Sequence, residues 1–414
     1  MIIGVIADSI PGANEAASAL EQEGLATIEI FGLTKDHEQA LKGEKYEALV
    51  IALKSGLESK DKAVTESVEA LRFLVTCGAK HIFFKFTSSL NQNQVINTGD
   101  VITALQKELN SDFTAISPAL PDIGYTVYQG FAFGREHLLQ GDPIYRLFPE
   151  SIKCGLLPHQ SLQGDHTALH IWEHINNLKK HGYNSVLFDA VNDHDLIVQA
   201  QAVYTLPLLC GDTAFARAVG RAQVANALAT GVQFQPHVLQ SFPQGRMVMM
   251  ASSSMPQTLA QVQRYRKVAS THTVDIARCV GASSEMLAYI SEVAKWYEAH
   301  KDEKLPPLIY VNMDPVEMKA INDKYGSVAV DIAIERFFYG LCGKLKSAGV
   351  TKFVAAGNEI GMQVAKALDV VGFYVGPCVI NGVPWLKVLH EDLYMVFKPS
   401  FSGDENFFFR TLQE

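Results

Sequence analysis

The strongest constraint on this chain is a rhythm. Short apolar runs rich in β-branched residues recur along its first half, each followed by a longer stretch with helical spacing. Residues 2–7 (IIGVIA), 26–31, 48–53 (ALVIAL), 81–84 (HIFF) and 113–116 read as strands, and residues 12–23, 64–77 and 101–109 read as helices between them. Strands this uniformly apolar need cover on both faces, and helical crossovers supply it in a parallel sheet. With 48% hydrophobic and 19% charged residues, disorder, collagen and coiled coil are excluded, and no internal repeat of solenoid length is seen.

Periodicity fades between residues 118 and 158, where Pro and Gly accumulate, and this segment reads as a long excursion over the sheet. The beat resumes with a helix near 167–180, strands near 185–189 and 206–210, and a helix to about residue 230. Residues 231–245 (GVQFQPHVLQSFPQG) have no period and form the linker candidate. A second set follows, with strands near 247–251, 309–311 and 353–356 and helices near 259–268, 285–299, 328–348 and 360–368. The expected fold class is therefore α/β, with two domains at 1–235 and 246–414, each a mostly parallel sheet with flanking helices. A length of 414 residues fits two units at ~100–200 residues each.

Charge narrows the partners. With 44 acidic against 35 basic side chains the net charge is -9, which opposes binding to phosphate polymers or anionic membranes, so neither nucleic acid nor membrane is an expected partner. The six cysteines lie far apart without a CxxC pair, as expected of a reducing, cytoplasmic setting. The opening apolar run meets Asp8 at once, leaving no room for a secretory leader, and no later run reaches the ~18 apolar residues of a membrane span.

In open parallel sheets ligands gather at the carboxyl ends of strands, so a polar residue directly after an apolar run carries functional weight. Asp8 is such a residue; it either works on a hydroxyl or metal, or simply caps the following helix. Ser252-Ser253-Ser254 and Ala356-Gly357-Asn358-Glu359 both stand at strand-to-helix junctions, where backbone N–H groups suit phosphate and where serine also serves as a helix cap. Two such junctions in one unit point to a nucleotide. Gly340-Leu341-Cys342-Gly343-Lys344 has the wrong spacing for a P-loop, and there is no GxGxxG string. His170, Glu173 and His174 match HxxEH, with His166 one turn earlier, which leaves a zinc hydrolase as a minor alternative.

Together these strings resemble the four-carbon acid sugar kinase family along nearly the whole chain. An ADDxTGA segment corresponds to Ala7-Asp8-Ser9-Ile10-Pro11-Gly12-Ala13, and a PAxPxxGRTVxxG segment to residues 118–130. A GxxxPGVPW region corresponds to Gly376 through Gly382-Val383-Pro384-Trp385. The resemblance implies an N-terminal domain for the sugar acid, a C-terminal domain for the nucleotide, an active-site cleft between them, and ATP and Mg2+ as cofactors. It implies Asp8, Lys85 and Asn91 as catalytic residues, with Lys54, Tyr125 and Gln129 joining Asp8 at the sugar acid. Ser252, Ser254, Gly357, Asn358, Glu359 and Gly403 fall in the nucleotide site, and homo-oligomerisation is left open.

The chain departs from the family pattern at several of these positions. The second aspartate of ADD is Ser9, an arginine of the middle segment is Tyr125, and an aspartate is replaced by Asn91. Phosphoryl transfer rests on positioning and electrostatics, so two readings stand: a kinase for a threonate, erythronate or 3-oxo-tetronate type of acid, or a silent relative that binds a small ligand or partner.

Overall fold

The structure is a computed structural model that describes residues 2–87, 92–135, 137–139, 141–162, 167–311 and 314–413. The chain divides into two compact units, Met1–His237 and Val238–Glu414.

In the first unit the apolar runs become strands β1 (Ile3–Ala7), β2 (Thr27–Phe31), β3 (Ala48–Ala52), β4 (His81–Lys85) and β5 (Thr114–Ser117). The excursion after β5 contributes a small antiparallel hairpin, β6 (Thr126–Tyr128) with β7 (Phe131–Phe133), before β8 (Cys154–Leu157), β9 (Ser185–Phe188) and β10 (Leu208–Gly211) return to the main sheet. That sheet runs β2-β3-β1-β4-β10-β5-β9-β8, with every pairing parallel. All five residues of β1 are buried, as are all five of β3, which is why neither alternates polar and apolar side chains. The helix Ile10–Gln22 covers them with Ala13, Ala16, Ala17 and Leu20, an i, i+3, i+4, i+7 stripe of small residues that lets the helix lie close. Its start is set by Ser9, whose side chain accepts from the Gly12 N–H, and by Pro11 in the first turn.

The second unit contains β11 (Met247–Ala251), β12 (Thr271–Thr273), β13 (Leu308–Tyr310), β14 (Lys352–Ala356), β15 (Phe373–Ile380), β16 (Val383–Val388) and β17 (Tyr394–Lys398). Strands β12-β13-β11-β14-β17 are parallel, and β16 and β15 continue the sheet antiparallel. Its core gathers Met247, Met249, Tyr265, Val354, Val396 and Phe407 around Trp385. The sequence pattern does not predict β15 and β16, because Gly376, Pro377 and Pro384 break the apolar runs that would announce them, and it does not single out β17, a lone short run that follows them. Among the described residues no helix is long and apolar enough to cross a membrane.

Candidate functional site

The chain leaves β1 toward β2 on one side and leaves β4 toward β5 on the other, although β1 and β4 are neighbours. Diverging connections open a crevice at the carboxyl ends of such a pair. Register decides what stands there. Ala7 pairs with Lys85, and Lys85 pairs in turn with Gly211, so Asp8, Lys85 and Asp212 occupy three adjacent strand ends.

Their side chains form one charged group. The Lys85 ammonium lies 3.1 Å from Asp212 Oδ1 and 3.7 Å from Glu15 Oε2 on the helix Ile10–Gln22. Asp8 accepts from the Thr87 N–H at 2.9 Å and from the Thr87 hydroxyl at 3.3 Å. Asp212 caps the helix Thr213–Ala229, and the Thr213 hydroxyl donates to Glu15 at 3.3 Å. Gly12 has a steric reason: a Cβ there would stand 2.9 Å from the Lys85 ammonium and 2.8 Å from Ser9 Oγ.

Burial dominates the electrostatics. Desolvation alone would pull Lys85 down, yet the carboxylates of Asp212, Glu15 and Asp8 outweigh it and hold the ammonium above its ordinary range. For Asp8 the balance goes the other way: burial pushes its carboxyl up, against the opposing charge of Lys85 and the hydrogen bonds from Thr87 and Ser9. Glu15 is raised for the same reason, against Lys85. The result is a fixed cation beside carboxyl groups whose charged forms burial disfavours.

Of the expected residues, the structure brings Asp8 and Lys85 together and sets Tyr125 near them, buried, with its phenol pushed up by burial and then by Asp212. Lys54 is exposed just before the turn Ser55–Leu57. Gln129 belongs to a different group: its N–H and that of Gly130 donate to Asp189 at 2.7 and 2.8 Å, and the His159 N–H adds a third donor at 3.0 Å. Asn91 lies outside the described residues. Sequence reasoning missed Asp212, Glu15, Thr87 and Asp189. Asp212 and Asp189 each follow an apolar strand, so the rule that singled out Asp8 reaches them as well.

The second unit repeats the topology. The chain leaves β11 toward β12 and β14 toward β15, which diverge from neighbouring strands. At this second crevice the Ser252 N–H donates to the Ala356 carbonyl at 3.0 Å. Gly357, with φ of 132°, approaches so closely that a Cβ would fall 2.2 Å from the Ser252 carbonyl oxygen. The helix Pro256–Tyr265 begins at Met255 without a side-chain cap, and it is Ser253 that accepts from the Met255 N–H, which leaves Ser252 and the exposed Ser254 uncommitted to capping. Asn358 opens the helix Asn358–Ala367; the side chains of Asn358 and Glu359 lie outside the described residues.

Gly403, at φ of 77°, belongs to a loop tied down from below. The Gln261 amide donates to the carbonyls of Ser402 and Asp404, both at 3.0 Å. Lys398, at the end of β17, donates to Thr258 Oγ1 at 2.9 Å and to the carbonyls of Ser402 and Ser400 at 3.1 and 3.4 Å. Burial pulls this ammonium down to about 7.

The HxxEH string is not assembled as a metal site. His174 Nε2 lies 2.8 Å from the Leu156 carbonyl, which fixes that nitrogen as a donor, while His170 and Glu173 are exposed and His166 is outside the described residues. Among the described residues no group of three or more His, Cys, Asp or Glu side chains could hold a metal ion. Mg2+ travelling with a nucleotide asks for less, one or two carboxylates with phosphate oxygens and water completing its shell.

Comparison with known proteins finds a family match in each unit. Residues 3–147 match the family model described as a sugar-binding N-terminal domain, and residues 248–408 match one described as a nucleotide-binding C-terminal domain. A 3-oxo-tetronate kinase of Salmonella typhimurium is 32% identical, covering 100% of this chain and 99% of the relative. One from Haemophilus influenzae is 32% identical over 98% of each. A solved structure from Salmonella typhimurium, described as a putative tRNA synthase, superposes with a TM-score of 0.88 at 32% identity over 99% of this chain and 98% of its own. A Haemophilus influenzae structure gives 0.83 at 31% identity over 99% of each. On this full-length similarity the chain belongs to the four-carbon acid sugar kinase family.

Proposed function

We propose that the protein is an ATP-dependent kinase that phosphorylates a hydroxyl of a four-carbon sugar acid in the cytoplasm, with 3-oxo-tetronate the first substrate to test. In this reading residues 1–235 bind the acid and residues 246–414 bind the nucleotide. The observation that carries it is the Lys85 cluster: a buried cation held by Asp212 and Glu15, next to an Asp8 carboxyl pushed up by burial, at the carboxyl ends of adjacent parallel strands.

Asp8 accepts the proton of the substrate hydroxyl as its oxygen bonds to the γ-phosphorus of ATP, and the bond from that phosphorus to the bridging oxygen breaks to release ADP. A raised carboxyl is a better match for this task than an ordinary aspartate. Lys85 offsets the negative charge that gathers as the phosphoryl group passes. Ser252, Ser254, Gly357 and the Gly403 loop receive the nucleotide, whose Mg2+ would supply positive charge to its phosphates, and exposed Lys54 meets the substrate carboxylate.

ADP release measured with MgATP and 3-oxo-tetronate, threonate or erythronate tests the proposal. Turnover with at least one acid, lost by ~100-fold or more in Asp8→Asn, is the expected result, in the range that removal of a general base produces. Ser9 and Tyr125, which stand where the family pattern has aspartate and arginine, favour a second reading, a silent relative. Nucleotide binding without ADP release on any of the acids would decide for it.

A further inference from the structure

Tyr125 brings an uncommitted proton to a crevice rich in acceptors. Ser117, the last residue of β5, pairs with Gly211, and the Asp212 N–H donates to the Ser117 carbonyl at 3.2 Å. Three residues on, Leu120 exchanges two backbone hydrogen bonds with Tyr125, at 2.8 and 3.2 Å. Just beyond, Val127 and Ala190 exchange another two at 2.9 and 3.0 Å. Tyr125 is therefore set past the carboxyl end of β5, one strand from Asp212, on backbone fixed from both sides.

Only 7% of this residue is exposed. Its hydroxyl has no hydrogen-bond partner among the described residues, and unlike the sealed hydroxyls of Ser55 and Ser67 it stays open to solvent. Burial and then Asp212 push the phenol up, so it keeps its proton across the neutral range. Neighbouring donors are already spent. Thr87 gives its N–H and hydroxyl to Asp8, Thr213 gives its N–H to Asp212 and its hydroxyl to Glu15, and the Lys85 ammonium lies against Asp212 and Glu15. An ionised carboxylate accepts and cannot donate, so these groups suit the hydroxyls of a guest. A keto oxygen is the opposite case, an acceptor that needs a donor.

We infer that Tyr125 is a specificity-determining residue for an oxo acid: its hydroxyl donates to the keto oxygen of the bound acid and favours it over the hydroxy acid of the same length. A hydroxy acid loses less without this donor, because its own hydroxyl can turn its proton to a carboxylate, whereas a keto oxygen has no such exchange. The inference rests on the reading that the first unit binds the acid, and it names the group that tells one acid from another.

Titration calorimetry and MgATP turnover on the full chain, with 3-oxo-tetronate, erythronate and threonate, test it against Tyr125→Phe, which removes one oxygen and keeps the ring. The variant is expected to weaken binding of 3-oxo-tetronate about tenfold, with kcat/KM falling in step, and to weaken erythronate and threonate threefold or less. It should melt no lower than the parent, since the hydroxyl it loses holds nothing in the free protein. A residue with a merely structural role would move all three acids together. Equal losses, no loss, or a parent that binds no 3-oxo-tetronate would overturn the inference. The kinase reading fails separately: a parent that binds 3-oxo-tetronate through Tyr125 yet releases no ADP would end that reading and leave this one standing.

Discussion

Each unit ends one of its parallel strands with a buried lysine, and the two lysines live under opposite rules. Lys85 is 2% exposed and ringed by carboxylates, which hold its charge firmly. Lys398 is 1% exposed and faces a hydroxyl and two carbonyls, and burial brings it down to about 7. The first lysine neutralises a site; the second fastens a loop. Its three acceptors match the three protons of an ammonium, so the loop is held best by the charged form that burial opposes. A lysine's burial by itself therefore reports little about its role, and its partners report most of it.

Removing each cation should separate these roles most sharply. Lys85→Met leaves the buried Asp212 carboxylate, and the partly exposed Glu15, without this counter-charge. The expected cost is ~3–5 kcal/mol of stability, seen in denaturant unfolding, together with near-complete loss of turnover. Adding Asp212→Asn should recover part of the stability and none of the activity, because the double variant removes the stranded charge without restoring a cation. If Lys85→Met is as stable as the parent, the cluster is not an ion-paired unit.

Lys398→Met should be far milder. The Ser400 carbonyl keeps the Thr258 hydroxyl at 2.7 Å and the Ser402 carbonyl keeps the Gln261 amide at 3.0 Å, so neither is left unsatisfied. A stability change under ~1 kcal/mol is expected, with the KM for ATP rising severalfold because the Gly403 loop loses one of its ties. Equal losses for the two variants would break the comparison.

The sequence exposes one of these lysines more readily than the other, for physical reasons. Asp8 and Lys85 both end apolar runs that read as strands, so they stand where a parallel sheet presents its ligands. Asp212, the strongest partner of Lys85, lies 127 positions later, directly after β10, which inserts between β4 and β5. Such pairing is non-local, and no periodicity announces it. Lys398 is harder still, since β17 lies where the parallel strands give way to the antiparallel β16 and β15, which glycine and proline interrupt. The rhythm of most parallel strands was legible in both units, but β8, β12 and β17 were not read as strands, and partners brought in from distant strands were not legible.

The pH dependence sharpens the comparison further. The folded state lowers Lys398 below its unfolded value, so the unfolded chain binds more protons. Its penalty is full below about 7 and is relieved as pH rises toward the unfolded value. Relative to Lys398→Met, the parent should therefore gain stability as pH rises from about 7 toward the ordinary lysine range near 10. Asp8 and Glu15 are raised instead, so their contribution is present in acid and is lost as pH rises through the folded values. Relative to Asp8→Asn, the parent should lose stability over that rise. Denaturant midpoints across the pH series check both slopes, and two slopes of the same sign would contradict the contrast.

The smallest effect is expected at Ser9, which stands where the family pattern has a second aspartate. Ser9 accepts from the Gly12 N–H at 3.3 Å and lies 3.5 Å from the Thr87 hydroxyl. Aspartate caps a helix as well as serine does, so Ser9→Asp keeps the helix start and should change stability by no more than ~0.5 kcal/mol in mild acid, where the added carboxyl is largely neutral. Once ionised, the new carboxylate sits beside Asp8 in a buried site and like charge raises Asp8 further. The acid limb of the turnover profile should then move to higher pH while the KM for ATP stays fixed, since no nucleotide contact has changed. An unmoved acid limb would mean that Asp8 does not feel position 9 and that Lys85, with its own carboxylate partners, sets the proton balance of the crevice alone.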